Sequence, residues 1–453
     1  MPYGRETAGK GGHSDFVRNP DVQAFLGECE YMREPSEQEA AEMVKDFVAA
    51  PKGDPPQLPK FVVASDGSKS DEPISEKLPS TQIGFVKVSH VLILMDKYKE
   101  LIDPQSRFVD PFKVAELHRS ANPITFVLPG SNIKYKGATS VKDGFRRAVF
   151  DQLSTNRRDS ANRFVLAEAL VELSSGPIQL EKCPSCGGQV LDLAFTKTNL
   201  THECLYCETT IYVTDWLRLH EGISDFGDNR GAMTRMMNAV EHLLMAALIQ
   251  ELWNKDLEAL SHTAFVIDGP LALFGEPAKL HARIMDLIFR VNQALIKAKK
   301  EPLLVIGLQK SGAVMDHALL LNRFLPKGVY RVVDDDYRYS FITGSDNPAE
   351  NFGSETYYGQ DFLFKTERGR VFNFALPYPF RDKQHKAQFA SEKVEPQRYG
   401  SLIERACDFI RHFELDLYDN AIVPVALAHR HASISLVPGG KVLDMLVKVG
   451  LSG

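Results

Sequence analysis

Two stretches of the chain carry the same pattern of apolar and polar positions. Phe265-Val266-Ile267-Asp268-Gly269-Pro270-Leu271 is an apolar run closed by Asp-Gly-Pro, the pattern of a buried strand that delivers one carboxylate at its carboxyl end. Phe61-Val62-Val63-Ala64-Ser65-Asp66-Gly67-Ser68 has the same design, and this strand is expected to end at Asp66. Asp-Gly after a strand is also an ordinary turn, because Asp caps and Gly supplies positive φ. Two such strands side by side bring two carboxylates to one sheet edge, where like charges repel unless a cation sits between them.

Around these strands the periodicity is helical. Residues 37–50 place Ala41, Met43, Val44, Phe47 and Val48 at helical spacing, with Ser36 and Glu39 suited to a capping box. The proline-rich 51–59 reads as a linker, 70–80 as a loop and 84–95 as a Val- and Ile-rich strand. Helices are expected at 144–155, 162–173 and about 231–260, the last with Met233, Met236, Met237, Val240, Leu244, Ala247 and Leu248 in one apolar stripe. After the Asp268 strand come a helix at 278–300, a buried strand at 302–308 and a helix at 313–324. Alternating strands and helices argue for parallel pairing in a mixed α/β sheet. A hairpin is expected at 356–375, a charged loop at 381–398 and a helix at 402–413, and the chain closes through 422–436.

Composition narrows the class. The chain has 453 residues, 44% hydrophobic and 25% charged, ordinary for a globular protein and enough for one large body with insertions. A net charge of −6 argues against a protein that simply coats nucleic acid, but it does not exclude a nuclease, whose acidic site is neutralised by metal and whose DNA contacts are local. No apolar leader opens the sequence and no run reaches the length of a membrane span, so a cytoplasmic protein without a membrane role is expected.

Four of the six cysteines form two pairs, Cys183-Pro-Ser-Cys186 and Cys204-Leu-Tyr-Cys207, seventeen residues apart. That spacing is the signature of a zinc ribbon, two turns each offering two thiolates to a tetrahedral Zn²⁺. Gly187-Gly188 suits the first turn, and 190–195 and 210–213 would be its small strands. With Cys183, Cys186, Cys204 and Cys207 all bound, the ion is structural, and nearby His202 is not needed. Cys29 and Cys407 are expected to be ordinary buried thiols.

A carboxylate metal site needs a third acid, and the helix before Asp268 is its natural source. That helix runs antiparallel to the strand, so its beginning lies level with the strand's end. Six strand residues span about 20 Å, or roughly thirteen helical residues, which puts the right level near residue 244. Glu241 is closest, while Glu251 lies about three turns too deep. Asp334-Asp335-Asp336 is the densest acidic run but precedes Tyr337-Arg338-Tyr339, and reads as a solvated turn. No phosphate-cradling G-x-x-x-x-G-K-[ST] occurs, so any ATP use falls to a partner.

Asp66-Gly67-Ser68, Arg235 to Glu241 ahead of Asp268-Gly269-Pro270-Leu271, Gly307-Leu308-Gln309-Lys310 and Ala428-His429, in this order, resemble the NurA nuclease family over about 55–440. The resemblance implies an RNase H-like mixed sheet flanked by helices, interrupted by the four-Cys ribbon. The expected division is an N-terminal segment 1–50, nuclease-domain parts 55–175 and 214–440, the ribbon 176–213 and a tail 441–453. It implies a DNA nuclease dependent on Mn²⁺ or Mg²⁺, dimeric, partnered with a HerA-type hexameric ATPase that translocates DNA, in end processing or anti-phage defence. Carried over residue by residue, Asp66, Glu241 and Asp268 would be metal ligands. His429 would be a further catalytic residue, ligand or proton carrier, and Lys310 would touch a phosphate of the substrate. His431, if the segment were a strand, would share a face with His429. The rival reading is a catalytically silent adaptor that binds DNA or the ATPase through its ribbon.

Overall fold

The structure is a computed structural model that describes residues 14–29, 32–100, 123–157, 163–174, 176–190, 193–343, 353, 355–414, 421–434, 443 and 446. Strands β1 (Val48–Ala49), β2 (Phe61–Pro73), β3 (Gln82–Leu94), β4 (Ile124–Pro129), β5 (Thr263–Asp268), β6 (Leu304–Gln309), β7 (Val329–Val332), β8 (Gly359–Lys365) and β9 (Val371–Pro377) form one sheet. Among the described residues its order is β1-β7-β8-β9-β6-β5-β2-β3-β4.

β2 pairs antiparallel with β3 from Phe61↔Leu94 to Pro73↔Gln82, and β3 antiparallel with β4. On its other side β2 is parallel to β5, and β5 to β6. Three antiparallel strands in sequence, then two parallel ones reached through helices, in the order β4-β3-β2-β5-β6, is the RNase H-like arrangement expected. The hairpin β8–β9 extends the sheet beyond β6.

β2 departs from expectation in a way that matters for the site. It does not end at Asp66 but continues through Gly67 to Pro73, taking in residues expected to be loop. Pairing with β5 stops at Ser65↔Ile267, whereas pairing with β3 goes on. Asp66 therefore sits where the parallel ladder ends, inside a strand that a second neighbour keeps extended.

Alternation along the strands sends side chains to two cores. Phe265, Ile267 and Val305 face one layer, with helices α2 (Val141–Ser154), α3 (Leu166–Leu173), α4 (Arg230–Lys255) and α5 (Lys279–Lys297). Val62, Ala64, Ala264, Val266, Ile306 and Leu308 face the other, with α7 (Leu402–Phe413) and α8 (Val423–Ala432). Helix α6 (Ala313–Leu321) packs in a third cluster near β7 and β8. The apolar stripe of α4 understates its burial: β2 and β3 cover one side, α3 and α5 others, so even Ala239 and Ala246 are buried.

Locally coded features appear as expected. Helix α1 (Glu37–Val44) carries the Ser36–Glu39 capping box, although it stops before Phe47 and Val48 enters β1. Three expectations are corrected. Residues 381–398 include a helix at Lys386–Glu392. Cys29 is exposed, while Cys407 is buried. The acidic run is not a solvated turn: Asp334 caps the backbone N–H of Tyr337 at 2.7 Å, and Asp335 takes the ammonium of buried Lys393 at 2.7 Å. Only Asp336 of the three is exposed, because Tyr337 and Arg338 are core residues and pull the run inward. Among the described residues no helix is long and apolar enough to cross a membrane.

Candidate active site and cysteine cluster

Asp66 and Asp268 project to the same face of the sheet, since each continues the alternation of the residues two and four before it. Helix α8 lies on that face. Pro424 opens it, and Val423, Val425, Ala428 and Ala432 bury one side, leaving His429 on its last turn. The Ser68 hydroxyl donates to the carbonyl of Ala432 and ties the end of α8 to β2. His429 then meets Asp66, Nδ1 to Oδ2 at 2.7 Å, while Asp66 Oδ1 accepts the N–H of Gly67 at 2.8 Å. Ligand atoms of Asp66, Asp268 and His429 all lie within 4.8 Å of one another. The closing segment being a helix, His431 falls two residues round from His429 and does not share its face.

Glu241 comes from the other side of the sheet, on α4. It is buried, and its Oε1 has no hydrogen-bond partner. A Cβ at position 67 would lie 2.7 Å from Cγ of Met237 and 3.5 Å from Oε2 of Glu241, so glycine there lets α4 bring the carboxylate against β2. Burial first, then Asp66 and Asp268, push the Glu241 carboxyl well above its ordinary range. Burial and the Asp66 charge likewise push Asp268 up to about 6, although Lys310 opposes them. Asp66 beside two carboxyls that burial pushes up, one of them with a buried oxygen unpaired, makes a donor set suited to a hard divalent cation. Glu251, three turns along α4, is partly exposed and pairs with Lys255 at 2.8 Å, far from this group.

Lys310 follows β6 and places Nζ 2.5 Å from Oδ2 of Asp268. Its neighbour Gln309 donates to Asp361 at 3.1 Å, and Asp361 also holds buried Arg338 at 2.6 Å. The end of β6 is therefore anchored and Lys310 points from a fixed base. Next along α4, His242 Nδ1 meets the Tyr358 hydroxyl at 2.6 Å, both buried, a pair that no pattern in the sequence signals. Only the turn of α4 and the approach of β8 bring them together.

In the cysteine segment both pairs make the same turn. The N–H of Cys183 donates to Gly188 O and that of Gly187 to Cys183 O; the N–H of Cys204 donates to Thr209 O and that of Glu208 to Cys204 O. Each turn needs one left-handed residue, Gly187 (φ 73) and Glu208 (φ 58). The sulfurs of Cys183 and Cys207, and of Cys186 and Cys204, are 3.8 Å apart. Four thiolates about 2.3 Å from a tetrahedral zinc stand about 3.8 Å from one another, so these residues fit that ion. The small strands pair as Ile178–Gln179 with Ala194–Phe195 and Thr201–Glu203 with Thr210–Tyr212, while Val213 begins a 3-10 turn. His202 lies outside the cluster, its Nε2 3.1 Å from the Ala194 carbonyl.

A scan of protein-family models gives no match, and a comparison with curated proteins gives none. Among solved structures, the chain aligns over 98% of its length with 98% of the NurA nuclease from Sulfolobus solfataricus, at 9% identity and a TM-score of 0.37. A second NurA structure aligns over 96% of this chain and 97% of its own, at 12% identity and a TM-score of 0.34. At that degree of likeness neither structure transfers an activity, and the functional reading rests on the site.

Proposed function

We propose that this protein is a metal-dependent deoxyribonuclease that hydrolyses DNA phosphodiester bonds. The observation that carries the reading is the convergence of Asp66, Asp268 and His429 within 4.8 Å, with the unpaired carboxylate of Glu241 buried behind them. Asp66, Asp268 and Glu241 would hold Mn²⁺ or Mg²⁺. A divalent ion there supplies Lewis acidity and neutralises charge on the phosphoryl group in the transition state. His429, with Nδ1–H donated to Asp66, keeps Nε2 as the atom that takes or gives a proton. Lys310 offers an ammonium to a phosphate oxygen, exchanging Asp268 for the substrate. A silent adaptor would have no use for a carboxylate buried without a partner, a costly arrangement.

Incubation with end-labelled linear DNA and Mn²⁺ tests this directly. Cleavage is expected, and chelation should stop it. DNA binding with no cleavage in either Mn²⁺ or Mg²⁺ would leave the adaptor reading in its place. The motif resemblance supports the rest of the proposal: a cytoplasmic homodimer acting with a HerA-type hexameric translocase, in DNA end processing or defence against phage. Gel filtration should give at least a dimer, and co-expression should yield a complex with such an ATPase. A monomer that ignores that partner would remove this second part alone.

A further inference from the structure

Phe226 stands almost wholly in solvent, 97% exposed, on a loop that is pinned at both ends. Asp225 Oδ1 accepts the backbone N–H groups of Val141 and Lys142 at 2.6 and 3.2 Å, at the start of α2. Asn229 closes the loop on itself: Oδ1 accepts from Ser224 N at 2.8 Å, and Nδ2 donates to Ser224 O at 2.9 Å. Its own N–H donates to the Ser131 hydroxyl at 3.0 Å, and the Phe226 N–H to that of Ser224 at 3.3 Å. A ring displayed on fixed backbone has little conformational freedom left to lose when a flat partner stacks on it.

Beside the ring is a cleft of about 430 Å³, walled by Pro79, Ser80, Gln82, Ser131, Asn132 and Asp228, with Arg230, which holds the Asp228 carboxylate at 2.7 Å, at its rim. Arg230 opens α4, which carries Glu241 eleven residues on, about 16 Å along the axis at about 1.5 Å per residue. Lys69, three residues beyond Asp66 on β2, reaches the Arg230 carbonyl at 3.3 Å. The cleft lies at the Pro73↔Gln82 end of the β2–β3 hairpin, seven residues or about 23 Å along β2 from Asp66 at about 3.3 Å each, which about seven stacked nucleotides at about 3.4 Å each would span. A protein-docking centre would set several apolar side chains together. Here a single ring stands beside hydroxyls and amides; the Gln82 and Asn132 amide nitrogens donate to the Pro79 and Ser80 carbonyls at 3.2 and 2.9 Å, which leaves their oxygens to accept from a base edge.

We propose that Phe226 is a stacking platform for one base of the DNA strand that enters the carboxylate site, with the Ser80–Gln82–Asn132 cleft taking the base edge. The proposal rests on the nuclease reading. Anisotropy with a labelled oligothymidylate, in chelator so that nothing is cut, measures it. Phe226→Ala should weaken binding about 5- to 150-fold, the effect of losing one base–aromatic stack. The slope of affinity against salt should stay as it was, since no phosphate contact is lost. Phe226→Trp should bind like the original protein and show indole quenching, while Phe226→Leu should bind weakly. A side chain this exposed is expected to leave the melting temperature unchanged, which checks the fold. Undiminished binding by Phe226→Ala, or full affinity in Phe226→Leu, would overturn the stacking role and leave the nuclease reading standing. Failure of the unaltered protein both to bind and to cut DNA would overturn both.

Discussion

Among the described residues, two groups of side chains are suited to metal, and they are built on opposite principles. The four cysteines lie within one short stretch, and two identical turns bring each pair together through hydrogen bonds spanning at most six residues. The carboxylate group takes Asp66, Glu241, Asp268 and His429 from four elements spread over most of the chain, and nothing but the sheet and its two helical layers brings them together. In the first, like groups meet because the backbone folds locally. In the second they meet against their own repulsion, because burial of strands and helices outweighs it. The first is thus expected to fail locally and the second to fail in function while its fold survives.

The largest effect should come from the carboxylates. Asp66→Ala and Asp268→Ala should each lower cleavage of linear DNA by at least about 10²-fold, by analogy with loss of one transition-state donor. Either change should leave the fold intact and even raise the metal-free melting temperature, since a repelling charge is gone. His429→Ala should keep DNA binding and depress turnover. On α4, Glu241→Gln should inactivate and Glu251→Gln should not. The opposite pattern would mean that the buried carboxylate is structural, and robust cleavage by Asp66→Ala would remove the mechanism.

Next comes the cysteine cluster. Elemental analysis should find one zinc per chain, absent from Cys183→Ser with Cys204→Ser. Circular dichroism should show the main sheet retained, with loss of order confined to the cysteine segment. Retention of zinc in the double variant would sink the assignment, and collapse of the whole protein would refute the local–global contrast.

A smaller effect is expected with pH. The folded protein holds the Asp268 proton up to about 6, whereas an unfolded Asp releases it near 3.8. Stability from that proton is present in full below the lower value and lost as pH rises through the upper one. Glu241, pushed the same way, adds to the trend. Protein free of Mn²⁺ and Mg²⁺ should therefore melt at a higher temperature at pH 5 than Asp268→Asn predicts from its own shift between pH 7.5 and pH 5. The cysteine cluster is common to both proteins and cancels. Equal shifts would show that the carboxylates do not strain the empty site.

The smallest effect separates the two cysteine turns. Glu208 occupies the left-handed position that Gly187 fills in the first turn, a conformation that costs L-residues about 1–2 kcal/mol. Glycine there recovers part of that, net of its own entropy cost of about 0.5–1 kcal/mol. Glu208→Gly should hold zinc slightly more tightly against a competing chelator, and Gly187→Ala less tightly.

The sequence by itself determined whatever depends on neighbours a few residues apart. The C-x-x-C turns, the Ser36–Glu39 capping box, the β8–β9 hairpin and the apolar strands that end or pass through Asp-Gly are all of this kind. Counting strand and helix rises put Glu241 rather than Glu251 level with the end of the Asp268 strand, and the fold sets Glu241 against β2 at Gly67, because one helix lying antiparallel on one strand leaves little freedom in depth. Tertiary structure alone decided the rest. Asp66 lies inside β2 because β3 goes on pairing where β5 stops, and a turn dipeptide cannot register that. The segment carrying His429 is a helix, since Val423, Val425, Ala428 and Ala432 bury one side against the sheet. Asp335 pairs with Lys393, Asp268 with Lys310 and Asp361 with Arg338, pairs set by topology between residues that periodicity places independently. Whether a charge is solvated, paired or left for a metal depends on what the fold sets opposite it.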